Sequence, residues 1–215
     1  VLVGYRATTS GFITLIPDYV GLGNPNHYHP YHIKDSYIRA VVHMIRAVKQ
    51  LSKILPIENS FQNNDQLFLA GYSEGGYATL AAQSGIESNY NEEITITASF
   101  PMAGAYDLAG TMVDYFLSEP QYENPYYVPY VLTSHIWYYQ GLNTDLNMYF
   151  EPYWAENLPI LYNGTFSGSQ INNLLPDNVL DRLKDRVLTD FATNEDQFLR
   201  QTLSQNTLLD WVPDS

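Results

Sequence analysis

The segment Gly71-Tyr72-Ser73-Glu74-Gly75-Gly76 fits the pattern G-x-S-x-G, and its flanks decide what that pattern can mean. Upstream, Leu67-Phe68-Leu69-Ala70 is a short apolar run of the kind buried in a parallel sheet; downstream, Gly75 to Gln83 reads as a helix of small residues. A serine between such a strand and such a helix stands on a tight turn. A hydroxyl is a weak nucleophile, so it needs exposure, a base to take its proton and backbone N–H groups to receive an oxyanion. The glycines at 71 and 75 let strand and helix approach, and the helix N-terminus turns unpaired N–H groups and a positive dipole end toward the serine. Ser73 is thus the candidate nucleophile and the backbone N–H of Glu74 a candidate oxyanion donor. The competing account is a glycine-rich turn in which Ser73 serves only as a helix N-cap.

The surrounding pattern extends this unit. Phe12 to Pro17 is a β-branched, apolar run expected to form a buried strand, followed by the turn Val20-Gly21-Leu22-Gly23. From Asp35 to Leu55, the apolar residues Ile38, Val41, Val42, Ile45, Val48 and Leu51 recur at helical spacing, with Arg39, Arg46 and Lys49 opposite and Pro56 ending the run. Ile94 to Phe100 is expected to be a third strand. Strands alternating with helices predict an α/β fold with a parallel sheet. Beyond Pro101, aromatic residues crowd a proline-punctuated region without strand alternation, and helical patterns return at Val179 to Phe191 and Gln197 to Leu209. The division expected is a partial α/β core over residues 1–108 and a mainly helical cap insertion over 109–215 that returns toward the core.

Composition limits the partners. Ten Lys and Arg against 23 Asp and Glu leave a net charge of −13, which repels a nucleic acid backbone. With 45% hydrophobic and 15% charged residues, the 215-residue chain can build a sizeable core. No apolar run reaches the roughly 18 residues of a membrane span, so no integral membrane segment is expected. The absence of cysteine removes disulfides and thiol chemistry.

With these residues in view, the chain resembles the α/β-hydrolase superfamily, and within it the bacterial esterases and secretory lipases. The likeness rests on Pro17-Asp18-Tyr19-Val20-Gly21-Leu22-Gly23, on the elbow around Ser73, on His29-Pro30-Tyr31, on the Asp35–Leu55 helix with Arg46-Ala47, on Ala103 to Leu108, and on Asn206 to Pro213 with Asp210-Trp211. The resemblance implies hydrolysis of a carboxylic ester or lipid through an acyl-Ser73 intermediate, no cofactor or metal, and a secreted or periplasmic location. It also implies an order of Ser, then acid, then His along the chain. One histidine, His135, follows Ser73, and it falls in the aromatic helical region. The acid and base are therefore expected outside the 215 residues, and the chain to be the central part of the fold, inactive alone. Val1 to Gly11 then corresponds to the helix before the family's fourth strand, and a missing third strand would lie between the Phe12 and Leu67 strands, leaving unpaired groups that cost on the order of 1 to 3 kcal/mol each. Direct pairing of those two strands would contradict this. In a self-contained triad, Asp107 would be the acid and His135 the base.

Other features have plainer readings. His27, His29 and His32, with Asp35 nearby, match no standard zinc spacing, and a loop docked beside the sheet is the better account. Asp18 at a strand end fits a turn cap better than a pocket hydrogen bond. The tyrosine-rich insertion combines helix packing with a possible acyl or aromatic pocket. Asn163-Gly164-Thr165 is a weak glycosylation sequon. Two rivals to the esterase reading are a serine peptidase of the same fold and a non-catalytic hydrolase-fold binding module. Oligomeric state is not legible.

Overall fold

The helical periodicity after Asp35 becomes helix α2, Lys34–Ile54, preceded by α1, Leu2–Thr9. The computed structural model describes residues 2–22, 27–55, 61, 64–119, 121, 123–175, 178, 180–193 and 197–214, so the expectations at Gly23 and Pro56 lie outside the described residues. The chain divides into two compact units: one of residues 1–19, 34–104 and 211–215, the other of residues 20–33 and 105–210.

The first unit holds the sheet. Strand β1, Phe68–Tyr72, pairs in parallel with β2, Ala98–Met102, in the register Phe68↔Ala98 to Tyr72↔Met102. Between them runs α3, Glu74–Asn89, longer than the small-residue pattern alone indicated. Its Gly, Ala and Thr residues have little side-chain bulk, so α3 buries most of its circumference while packing against α2 and both strands. Val42 and Ile45 of α2, Ile86 of α3 and Ile94 form the core there, flanked by Ile38, Leu69 and Ile96. At the surface, Arg46 makes a forked pair with Glu93, its Nε 2.9 Å from Oε1 and its terminal nitrogen 2.7 Å from Oε2.

Phe12–Pro17 forms no strand, which corrects the expectation from its β-branched run. A strand exists by pairing, and here the Phe12 N–H closes the turn after α1 by donating to the Ala7 carbonyl at 3.1 Å. Its side chain still reaches β1: the Phe12 and Phe68 rings meet edge-on at 5.8 Å. Among the described residues β1 has β2 as its ladder partner, and no direct Phe12–Leu67 pairing forms.

The second unit is helical, with α4 Thr111–Ser118, α5 Tyr127–Gln140, α6 Pro152–Leu161, α7 Gly168–Leu174, α8 Asp185–Thr193 and α9 Gln197–Gln205. The expected helix from Val179 to Phe191 is broken, and Val179 itself lies outside the described residues. A short 3-10 turn at Leu180–Arg182 precedes α8. Backbone groups that a continuous helix would have used are taken elsewhere: Glu151 N donates to Arg182 O at 2.8 Å and Lys184 N to Tyr149 O at 3.0 Å. The buried Arg182 guanidinium lies over the Trp154 ring at 5.7 Å. Among the described residues, no helix is long and apolar enough to cross a membrane.

Candidate active site

The turn from β1 into α3 carries the candidate nucleophile. Ser73 is exposed, with φ 56° and ψ −118°, a conformation that L-residues rarely adopt and that costs on the order of 1–3 kcal/mol. Two backbone bonds hold it there: Ser73 N donates to Met102 O at 2.9 Å, and Tyr77 N donates to Ser73 O at 3.1 Å. The hydroxyl makes no capping bond to the helix, so the N-cap account of this serine does not hold. Of the flanking glycines, Gly71 and Gly76 have steric reasons, whereas a Cβ on Gly75 would point into open space, which corrects the expectation that Gly75 permits the close approach. A Cβ on Gly71 would overlap the Gly75 carbonyl, and one on Gly76 would overlap the Met102 carbonyl.

The residue after the serine is anchored from α2. The Tyr37 hydroxyl donates to Glu74 Oε1 at 3.1 Å, and the Tyr37 ring meets Tyr19 edge-on at 4.8 Å and Tyr77 at 5.6 Å. Burial and then the charge of Glu74 push the Tyr19 phenol up to about 12, so it stays a neutral hydroxyl. Neither Tyr19 nor Tyr37 stood out as a site residue in the sequence. Tyr37 is one aromatic position among the apolar positions of an amphipathic helix, and its bond to Glu74 spans 37 residues of chain.

The other candidates belong to the second unit. Asp107 is committed to α4: its carboxylate accepts the N–H of Gly110 at 3.0 Å and that of Thr111 at 2.8 Å, and the Thr111 hydroxyl at 2.8 Å. These bonds, those to Thr111 first, hold its pKa below the usual carboxylate range. His135 on α5 is 0% exposed, and burial lowers its pKa to about 3, opposed only by the backbone of His32. The structure thus places Ser73 and Glu74 together, and Asp107 and His135 in a different unit.

The histidine-rich segment also belongs to the second unit, and its partners come from α5 and from its own chain. The Ser134 hydroxyl donates to His29 O at 2.8 Å and accepts from Tyr31 N at 2.6 Å, while His29 Nδ1 lies 2.8 Å from Val20 O. Tyr31 stacks on Tyr130 at 4.7 Å, and Tyr130 on Tyr162 at 4.8 Å. Part of the tyrosine-rich region is therefore packing. Another part lines a cavity of about 700 Å³ within this unit, with Tyr28, Trp137, Leu142, Asp145 and Glu156 on its walls. Among the described residues no group of three His, Asp or Glu could hold a metal ion. Asp18 is exposed.

The sequence model of the secretory lipase family matches residues 1–114, more than half of the 215. The chain belongs to the secretory lipase family. Solved structures agree with that membership and with the likeness to bacterial esterases. The rice cell wall degrading esterase LipA from Xanthomonas oryzae superposes with a TM-score of 0.77 at 26% identity, over 92% of this chain and 52% of that one. A ligand-bound form of the same esterase gives 0.78 at 26% identity, with 92% and 52% covered. A candidate hydrolase from Legionella pneumophila gives 0.82 over 97% of this chain and 56% of that one; at 24% identity it attests the fold alone. This secretory lipase family chain spans about half the length of the structures it matches. No curated protein matches it.

Proposed function

We propose that the chain carries the nucleophile of a secreted or periplasmic serine hydrolase acting on carboxylic esters. The observation that carries this reading is Ser73: exposed, at positive φ, between a parallel strand and a helix N-terminus, its hydroxyl uncommitted to the helix it precedes. In the proposed reaction Ser73 Oγ attacks the ester carbonyl carbon as its proton passes to a histidine base. The backbone N–H of Glu74 hydrogen-bonds the resulting oxyanion. Collapse breaks the bond to the alcohol oxygen, which leaves with that proton, and water then releases the acid from acyl-Ser73 by the same steps.

The triad acid and base, in this proposal, come from residues outside these 215. The burial of His135 and the commitment of Asp107 to α4 support that assignment, since a base must reach the serine proton. A wider proposal follows, that residues 1–108 form the central part of a larger hydrolase sheet and 109–215 a helical insertion in it. Phe68, Tyr72, Phe100 and Met102 leave a large apolar surface exposed on the two strands, as a sheet with neighbours still to be added would.

A fluorophosphonate probe on the intact natural protein tests the reading. Labelling at Ser73, lost in Ser73→Ala together with turnover of short-chain and long-chain acyl esters, is the expected result. A folded protein that ignores the probe would be the non-catalytic binding module instead. Faster turnover of peptide amides than of esters would make it the peptidase.

A further inference from the structure

We propose that Tyr37 is a positioning residue for the reaction at Ser73, acting through the side chain of Glu74; the inference rests on the serine-hydrolase reading above. Glu74 contributes the backbone N–H that faces the oxyanion, so the orientation of the Ser73–Glu74 peptide determines how well that N–H is aimed. The carbonyl of this peptide is held by Tyr77 N donating to Ser73 O at 3.1 Å, and the peptide before it by Ser73 N donating to Met102 O at 2.9 Å. The other end is a helix start, where backbone fraying is common and a side-chain anchor matters. The anchor is the Tyr37 hydroxyl, 3.1 Å from Glu74 Oε1.

Tyr37 suits this task because it cannot wander. Its residue is 0% exposed, and Tyr19 and Tyr77 hold its ring edge-on at 4.8 and 5.6 Å. Tyr77 also donates its own N–H to Ser73 O at 3.1 Å. One aromatic cluster thus reaches the turn twice, at the serine carbonyl and at the neighbouring carboxylate. The carboxylate needs such control, since it is a negative charge one residue from where an oxyanion would form. A hydroxyl donor fixes where that charge sits.

The experiment is a double-mutant cycle in the intact protein, with ester turnover as readout. Tyr37→Phe keeps the ring and removes the donor; the expected result is a kcat lower by about 3- to 30-fold with KM within about two-fold. Glu74→Ala gives a loss of the same size, and the double variant loses no more than either single change. Glu74→Gln, which retains an acceptor oxygen, recovers kcat to within about three-fold of wild type. Losses that multiply in the double variant overturn the inference, as does an unchanged kcat in Tyr37→Phe or an effect confined to KM. Ser73→Ala is run alongside. Turnover that survives it removes the serine-hydrolase reading and this inference with it, whereas Ser73-dependent turnover that ignores Tyr37→Phe removes the inference alone.

Discussion

The amide of Ser73 donates to the carbonyl of Met102 at 2.9 Å, so the end of the second strand clamps the turn that follows the first. The clamp needs close approach, and Gly76 supplies it: a Cβ there would overlap the same Met102 carbonyl. Gly76→Ala is expected to push α3 from β2, lowering unfolding free energy by about 1–3 kcal/mol as overpacking does. Urea unfolding measures the loss, and probe labelling at Ser73 should fall with it. A stability within about 0.5 kcal/mol of wild type would show that the turn relaxes freely.

Strain at Ser73 makes a second, opposite prediction. A residue at φ 56° and ψ −118° is held against its preference, and glycine has no such penalty there. Ser73→Gly should therefore be more stable than Ser73→Ala by about 1 kcal/mol while being equally inactive. Thermal melts of the two variants decide it; equal melting temperatures would mean that the turn is not strained.

Much of this arrangement was legible in the sequence because it is local. The elbow, the helix after Asp35 and the helix after Ser73 each follow from spacing within about one element. The Phe12–Pro17 run misleads because β-branched apolar residues report a willingness to pair and not the presence of a partner, and among the described residues no strand pairs with it. The break before α8 was hidden for a related reason, since the competing acceptors at Tyr149 and donors at Glu151 lie more than 30 residues upstream. Tyr37 and Glu74 meet only through the fold. The turn that Asp107 holds before α4 is readable in principle from Asp107-Leu108-Ala109-Gly110-Thr111, where a short carboxylate precedes a glycine and a helix start.

Two of the buried histidines, His32 and His135, set an acid limit on the second unit. Burial, then the charges of His135 and His29, lower the pKa of His32 to about 3, and burial alone lowers that of His135 to about 3. In the unfolded chain each titrates near 6.5. Above that pH both states are neutral and the full stability is present. As pH falls from about 6.5 toward 3, the unfolded state takes up protons that the folded state refuses, so stability drops by up to about 1.4 kcal/mol per pH unit for each histidine. Denaturant midpoints between pH 7.5 and 4.5 should show this slope, and His135→Leu should reduce it. An unchanged slope in that variant would mean that His135 is protonated within the folded unit.

Asp107 and His135 together decide whether a triad could be self-contained. If Asp107 serves the turn into α4 that its bonds to Gly110 and Thr111 describe, Asp107→Ala should cost about 1.5–3 kcal/mol of stability, the usual loss for hydrogen bonds to a charged group. Its effect on ester turnover should then be small, because the carboxylate's acceptor sites serve the helix and orient no imidazole. His135→Ala should likewise act as a core truncation, lowering the unfolding free energy while leaving Ser73 reactive toward the fluorophosphonate. A triad role predicts the reverse for both: turnover falling by about 10³-fold or more in protein that remains folded at the assay temperature. Measuring kcat and the unfolding midpoint on the same preparations separates the two, since a turn anchor and a packed ring change the second quantity and a catalytic pair changes the first.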